Sequence, residues 1–333
     1  MADFKSLKGL FIKHVSSDPS NLVDGEIWYN TSSQSLKCNI LLSSWASGGN
    51  LNALREVRVG EGTQTAAIVA GGSDATPNPF SVNLSEEYDG SSWTEGSNLN
   101  TARLGMFSFG ALQTSAVAAG GATDAGPATP HRTAATEEYN GSSWSNGEDM
   151  GTARFGGGAT GLLPAGLAVG GTDGTRLNNT EEYDGTDWTA GGNYVATNSG
   201  ASVVGTQTSA LAFGGSTPDT VNTNATYDGS SWTTIPATLP TVTKNLSRAG
   251  TTTAALGFGG YAGADEEKTN RTMEYDGTSW SNNHATLATA RGGAAGCGTQ
   301  ASALLAGGVA GPGKTNATEE FTRGAAVRSV DTS

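Results

Sequence analysis

One nine-residue phrase returns along this chain. It reads EEYDGSSWT at 86–94, EEYNGSSWS at 137–145, EEYDGTDWT at 181–189, ATYDGSSWT at 225–233 and MEYDGTSWS at 273–281. A second mark keeps step with it: short apolar runs closed by a glycine pair, ending at Gly72, Gly121, Gly171, Gly215, Gly260 and Gly308. These endpoints lie 49, 50, 44, 45 and 48 residues apart. Self-similarity at such a period predicts a propeller or a solenoid, because each unit is too small to bury a face alone and must stack on its neighbours.

The chemistry inside a unit is strand and turn, with no convincing helix. Apolar runs bounded by glycine suit short buried strands. Each unit is expected to supply four: one after TAR, one ending in Gly-Gly, one at EEY and one at the Trp. Asp-Gly predicts a two-residue hairpin turn, which would pair Tyr88 with Ser91 and set Glu86 against Trp93. Tyr88 and Trp93 would then meet diagonally on one face. The same holds for Tyr139 and Trp144, Tyr183 and Trp188, Tyr227 and Trp232, and Tyr275 and Trp280, so these aromatics are packing units first. Closed radial stacking of four-stranded units gives a β-propeller, which also protects strand edges.

The ends indicate how such a ring closes. SSWASGGNLNALREVRVGEGTQTAAIVAGG at 43–72 aligns with SSWTEGSNLNTARLGMFSFGALQTSAVAAGG at 91–121. Trp45 thus opens the repeats with an outer strand lacking an EEY partner before it, and EEF at 319–321 closes them without a Trp strand behind it. The two halves complete one blade. The expectation is an all-β, six-bladed propeller over 45–333, closed by pairing of N- and C-terminal strands, with residues 1–44 as a short β arm.

Composition narrows the partners. Glycine is abundant at 49 residues and only 15% of residues are charged, a profile that admits disorder except that the aromatics recur in phase. A net charge of −13 argues against nucleic acid and anionic membranes. Cys38 and Cys297 are far apart and form no CxxC unit, so neither a disulfide framework nor a zinc site is expected. The N-terminus lacks the pattern of a signal peptide, and no apolar run approaches the roughly 18 residues of a membrane helix. Synthesis in a cytoplasm without a secretion address is the expectation.

In a four-stranded unit the turns between strands 1–2 and 3–4 share one face, and the 2–3 and 4–1 connections share the other. The turns are nearly constant here, whereas the 2–3 connections vary in length and content. Binding residues favour loops on a rigid scaffold, so Phe80, His131, Arg132, Arg176, Tyr261, Lys268, Arg271 and Lys314 become candidate contact residues.

Other chemistry is sought and not found. His14, His131 and His284 fall in different units without metal-ligand spacing. The Glu pairs 86/87, 137/138, 181/182 and 319/320 recur too often for an active site and read as solvated strand edges. Arg103, Arg154 and Arg291 in TAR, with Arg55 in phase, read as bridges to backbone carbonyls between neighbouring blades. The acidic GADEE at 263–267 could hold Ca²⁺, without the EF-hand pattern. No cofactor and no catalytic group are expected.

The order apolar-Gly-Gly, Tyr-Asp, Trp over residues 45 to about 322 resembles the kelch repeat of kelch and galactose-oxidase-type propellers, with a tighter Tyr-to-Trp hairpin. The resemblance does not extend to the copper site of the oxidase type, whose Tyr and His ligands and Tyr–Cys crosslink have no counterpart. In the arm, LFIKHV reads as a strand, SSDPS as a turn and DGEIWYNTSSQSLKCNI as a hairpin bearing Trp28 and Tyr29. DGEIWYNTSSQSLK resembles segments near the start of tail-fibre and other virion proteins of tailed phages. Together, arm and repeats are similar to kelch-like virion proteins of marine phages, cyanophages among them.

That resemblance implies a non-enzymatic virion protein of a tail fibre or tail appendage, assembled in the host cytoplasm in several copies per particle. Its arm, through Phe11, Trp28 and Tyr29, would meet other virion proteins, and the propeller loops a host-surface glycan or protein. The alternatives are a capsid decoration or tail-nozzle component that meets no receptor and, less favoured, a propeller enzyme acting on host polysaccharide.

Overall fold

The computed structural model describes residues 12–20, 25–74, 81–126, 129–217, 219–263, 265 and 267–330, with backbone alone at 124–126 and 129–130. The chain divides into two compact units: Trp45–Thr322, and residues 1–44 together with 323–333. The last eleven residues, grouped above with the repeats, therefore fall with the N-terminal segment.

The larger unit is all-β and propeller-like, built from four-stranded antiparallel sheets. The first holds Val59–Thr63, Ala66–Ala70, Ser85–Tyr88 and Trp93–Glu95 in that order. The next four repeat the pattern, and a last one combines Ala295–Gly298 and Ser302–Ala306 with the start of Thr318–Ser329 and the end of Ser35–Ser47. First strands of successive sheets are neighbours, and Ala295–Gly298 lies beside Val59–Thr63.

The repeat builds the contacts between sheets. The second glycine of each pair donates its N–H to the carbonyl of the residue in the TAR arginine position of the next sheet. Gly72 bonds Arg103, Gly121 bonds Arg154, Gly171 bonds Asn198, Gly215 bonds Thr243, Gly260 bonds Arg291, and Gly308 returns to Arg55. Only glycine fits: Gly72 has φ +100°, and a Cβ there would lie 2.1 Å from the Glu56 carbonyl oxygen.

The hairpin in the repeated phrase differs from expectation. Tyr88 pairs with Trp93 and Glu86 with Glu95, so the aromatics stand directly opposite, with ring centroids 4.9 Å apart. The loop has four residues rather than two. Asp89 Oδ1 accepts the N–H groups of Ser91 and Ser92, each at 2.8 Å, while the Asp89 N–H reaches the Ser92 carbonyl. A two-residue type I′ turn needs positive φ at both positions; here only Gly90 adopts it, and the Asp side chain supplies the rest of the turn.

Apolar clusters fill the spaces between sheets. One joins Leu51, Val57, Val69, Tyr88 and Trp93 to Cys297 and Leu304 across the first and last sheets. In the smaller unit Lys13–Val15 pairs in parallel with Ile27–Asn30, which forms an antiparallel hairpin with Ser35–Ser47. Trp28 is fully buried there, and Asp18 takes hydrogen bonds from Trp28 Nε1 and Asn30 Nδ2 and an ion pair from Lys37.

Candidate functional site

The repeated polar residues are structural, and in a way the sequence reading missed. The first Glu of each pair is not solvated: Glu86, Glu137, Glu181 and Glu319 are at most 5% exposed. Each meets the TAR arginine of its own unit, at 2.8 Å for Arg55–Glu86 and Arg103–Glu137, 3.2 Å for Arg154–Glu181 and 2.7 Å for Arg291–Glu319. Arg103 also donates to the carbonyls of Gly120 and Ala135. Its side chain therefore ties its own sheet together, while its backbone carbonyl receives the neighbour's glycine. Burial lowers the pKa of these guanidinium groups and the facing carboxylates oppose the shift. The fourth and fifth units carry Asn198 with Ala225, and Thr243 with Met273, so both partners are lost together.

The second Glu accepts a hydrogen bond from the tyrosine hydroxyl of the next sheet: Glu87 from Tyr139, Glu138 from Tyr183, Glu182 from Tyr227 and Glu320 from Tyr88. Burial and the facing carboxylate push Tyr88 and Tyr227 up to about 12. The Trp indole N–H groups reach a hydroxyl on the preceding sheet: Trp93 to Thr318, Trp144 to Ser85, Trp188 to Thr136, Trp232 to Thr180 and Trp45 to Thr272. Gln64, Gln113, Gln207 and Gln300, in the first turns, each donate to two carbonyls of the preceding sheet.

One joint lacks all three of these links. Between the fourth and fifth sheets Trp280 Nε1 is buried without a partner, Tyr275 turns back to the Gly277 carbonyl, and the turn carries Thr252–Thr253 where Gln stands in four other units. Apolar packing holds this joint instead, with Phe213 and Trp280 at 4.8 Å between ring centroids.

With the repeat so engaged, the unit's remaining charge is unevenly placed. Residues 45–322 contain twelve Lys and Arg. Four are the buried arginines, and a fifth, Arg248, lies among the first strands. The other seven (Arg58, Arg132, Arg176, Lys244, Lys268, Arg271 and Lys314) sit in the 2–3 or 4–1 connections, on the loop face. The turns of the opposite face hold no Lys or Arg and five aspartates: Asp89, Asp184, Asp187, Asp228 and Asp276. Hydrogen bonds from their own turns lower the pKa of Asp89, Asp184, Asp228 and Asp276, Asp89 and Asp228 to about 2.

The candidate contact residues take defined places on the loop face. Arg132 lies over the Phe155 ring, 5.9 Å from its centroid. Arg176 reaches Ser216, Lys268 the Gly311 carbonyl and Lys314 Ser73, each on the loop of the next unit. Arg271 reaches Thr241, and Tyr261 pairs with Lys268 and packs toward Gly292. His131 is exposed at the end of a small loop hairpin. Phe80 and Phe11 lie outside the described residues, and Tyr29 in the smaller unit stacks on His14 at 5.1 Å.

Four residues that sequence reasoning passed over stand at the centre. At the loop-face mouth, Arg58 donates to Asn245 Oδ1 at 2.9 Å and pairs with Glu56 at 3.2 Å. It borders a hollow of about 130 Å³ with Lys244, Asn245, Phe155, Thr172 and Ser199. Deeper, Arg248 reaches Glu61 at 3.3 Å and the Val203 and Ser108 carbonyls, while Ser108 Oγ donates to Glu61 at 2.7 Å. Burial pushes the Glu61 carboxyl up to about 7 against the pull of Arg248 and Ser108. The signal was available: Glu61 and Arg248 are the charged residues of the six first strands, and their signs are opposite. Below them a cavity of about 330 Å³ opens between the first turns. Among the described residues no group of three His, Cys, Asp or Glu is placed to hold a metal ion.

Fold and face together define a repeat-built, propeller-like all-β protein with one constant, acidic turn face and one variable loop face. No protein-family model matches the chain, and no curated protein matches it.

Proposed function

We propose that the chain is a non-enzymatic structural protein of a virion. In this reading it is a closed six-bladed kelch-like propeller on a short β arm, carried by a tail fibre or tail appendage of a tailed phage. The return of the Gly308 N–H to Arg55 supports closure. The arm within residues 1–44 meets other virion proteins, and the loop face meets a glycan or protein of the host surface.

The observation that carries this reading is the separation of roles. The repeated Arg, Glu, Tyr, Trp and Gln side chains are engaged within and between sheets, whereas residues that differ between units gather on one face with the cations outside those pairs. Variable loops on a rigid ring suit recognition.

Immunogold electron microscopy with an antibody to residues 45–322 tests it. Gold on tails or fibres is the expected result. Gold on heads would move the protein to capsid decoration, and unlabelled particles would refute the virion assignment.

A further inference from the structure

The hollow at the loop-face mouth has a chemistry of its own. Arg58 and Lys244 both line it, and the Arg132 guanidinium lies over Phe155, which forms one wall. Against these cations stands Glu56, paired with Arg58. The Glu56 contact and the bond to Asn245 fix the plane of the guanidinium and engage two of its five N–H donors. A volume of about 130 Å³ fits one small group rather than a whole sugar ring. Cations held in a concave site focus an anion even on an acidic protein, and arginine suits planar or tetrahedral oxyanions.

We propose that this hollow receives a carboxylate or sulfate group of an acidic surface polysaccharide. The inference rests on reading the loop face as the contact surface. An acidic protein segment is a weaker fit, and the nearest candidate is the turn face of a second copy. Its aspartates stand on the 3–4 turns at the outer edge of each sheet, whereas Arg58 and Lys244 stand beside the first strands. The two sets of charge lie at different radii.

Binding of the full chain to dextran sulfate and to polygalacturonate, with uncharged dextran as control, provides the test by calorimetry at several salt concentrations. The expected result is binding to the two polyanions, weakening as salt rises, and no binding to dextran. Arg58→Ser with Lys244→Ser should weaken it at least about tenfold with the melting temperature unchanged. Equal binding by this variant, equal binding of dextran, or no binding at all would overturn the proposal. So would self-association of the chain that depends on Arg58, which would put a second copy in the hollow. Adsorption of particles carrying Arg176→Ala and Arg271→Ala separates the two claims. Lost adsorption without polyanion binding leaves the loop face as contact surface and removes the ligand class, whereas retained adsorption removes both.

Discussion

Replacing Arg103 by Asn asks whether the buried ion pairs act as units. The guanidinium gives up its contacts to Glu137, Gly120 and Ala135, and Glu137 keeps only the N–H groups of Asn100 and Thr101. A carboxylate that is 1% exposed is then left without its countercharge. Breaking one side of such a pair costs about 3–5 kcal/mol, whereas removing both sides is often close to neutral. The fourth unit supplies the control, since Asn198 and Ala225 stand in these two positions and Asn198 bonds the Gly214 carbonyl and the Ser216 N–H. Arg103→Asn with Glu137→Ala should therefore lose only about 1–2 kcal/mol, about 2–3 kcal/mol less than Arg103→Asn alone, and Glu137→Ala completes the double-mutant cycle. Urea unfolding followed by tryptophan fluorescence measures it. A double variant no more stable than Arg103→Asn would refute the reasoning and show that the arginine acts through its carbonyl contacts alone.

Three further outcomes follow from the same contacts. Because the folded Glu61 carboxyl titrates at about 7 against an ordinary 4.5, the folded chain holds a proton that the unfolded chain releases; stability present below that lower value falls as pH rises through 7, by roughly 3 kcal/mol, and Glu61→Gln should flatten the slope of urea midpoint against pH. Asn224→Thr with Thr226→Glu gives Trp280 and Tyr275 the partners found at other joints and should raise stability by about 1–2 kcal/mol, seen as a higher melting temperature; an unchanged value would show that apolar packing already satisfies the joint. Gly72→Ala meets both a left-handed φ and the Glu56 carbonyl, and should destabilise by about 2–4 kcal/mol or yield insoluble protein; wild-type stability would show that this turn relaxes freely.

The strand pattern was legible because periodicity and glycine pairs report backbone geometry directly. The fate of the charged repeat was less so. Glu86 and Glu87 look alike in a string, but alternation along the strand sends one inward to Arg55 and the other toward a neighbouring sheet. The joint loss of Arg and Glu in the fourth and fifth units carried that information, as a pairing between columns of the repeat rather than within one. The turn was misjudged because Asp-Gly fits two loop lengths, and the Asp89 side chain decides between them. The loop residues other than Phe80 stand in the 2–3 connections, whereas Arg58 and Lys244 were passed over because they stand in 4–1 connections, where sequence offers no contrast between a mouth and a rim.

The sparsely linked joint between the fourth and fifth sheets also bears on where the polypeptide can be cut. The two ends of the repeated segment meet as the third and fourth strands of the last sheet, and Trp45, Gln64, Tyr88 and Trp93 fasten side chains between that sheet and its neighbours. Between those two strands covalent continuity is missing and backbone pairing replaces it, while residues 48–58 carry the chain on to the first sheet. At the joint of the fourth and fifth sheets the Trp, Tyr and Gln links are missing, and the continuous chain crosses through residues 236–242. A circular permutant opened at 236–242 would leave that joint to apolar packing and to the contacts of Gly215 with Thr243, Ser202 with Leu246 and Arg248 with Val203, and permutation elsewhere should be tolerated far better.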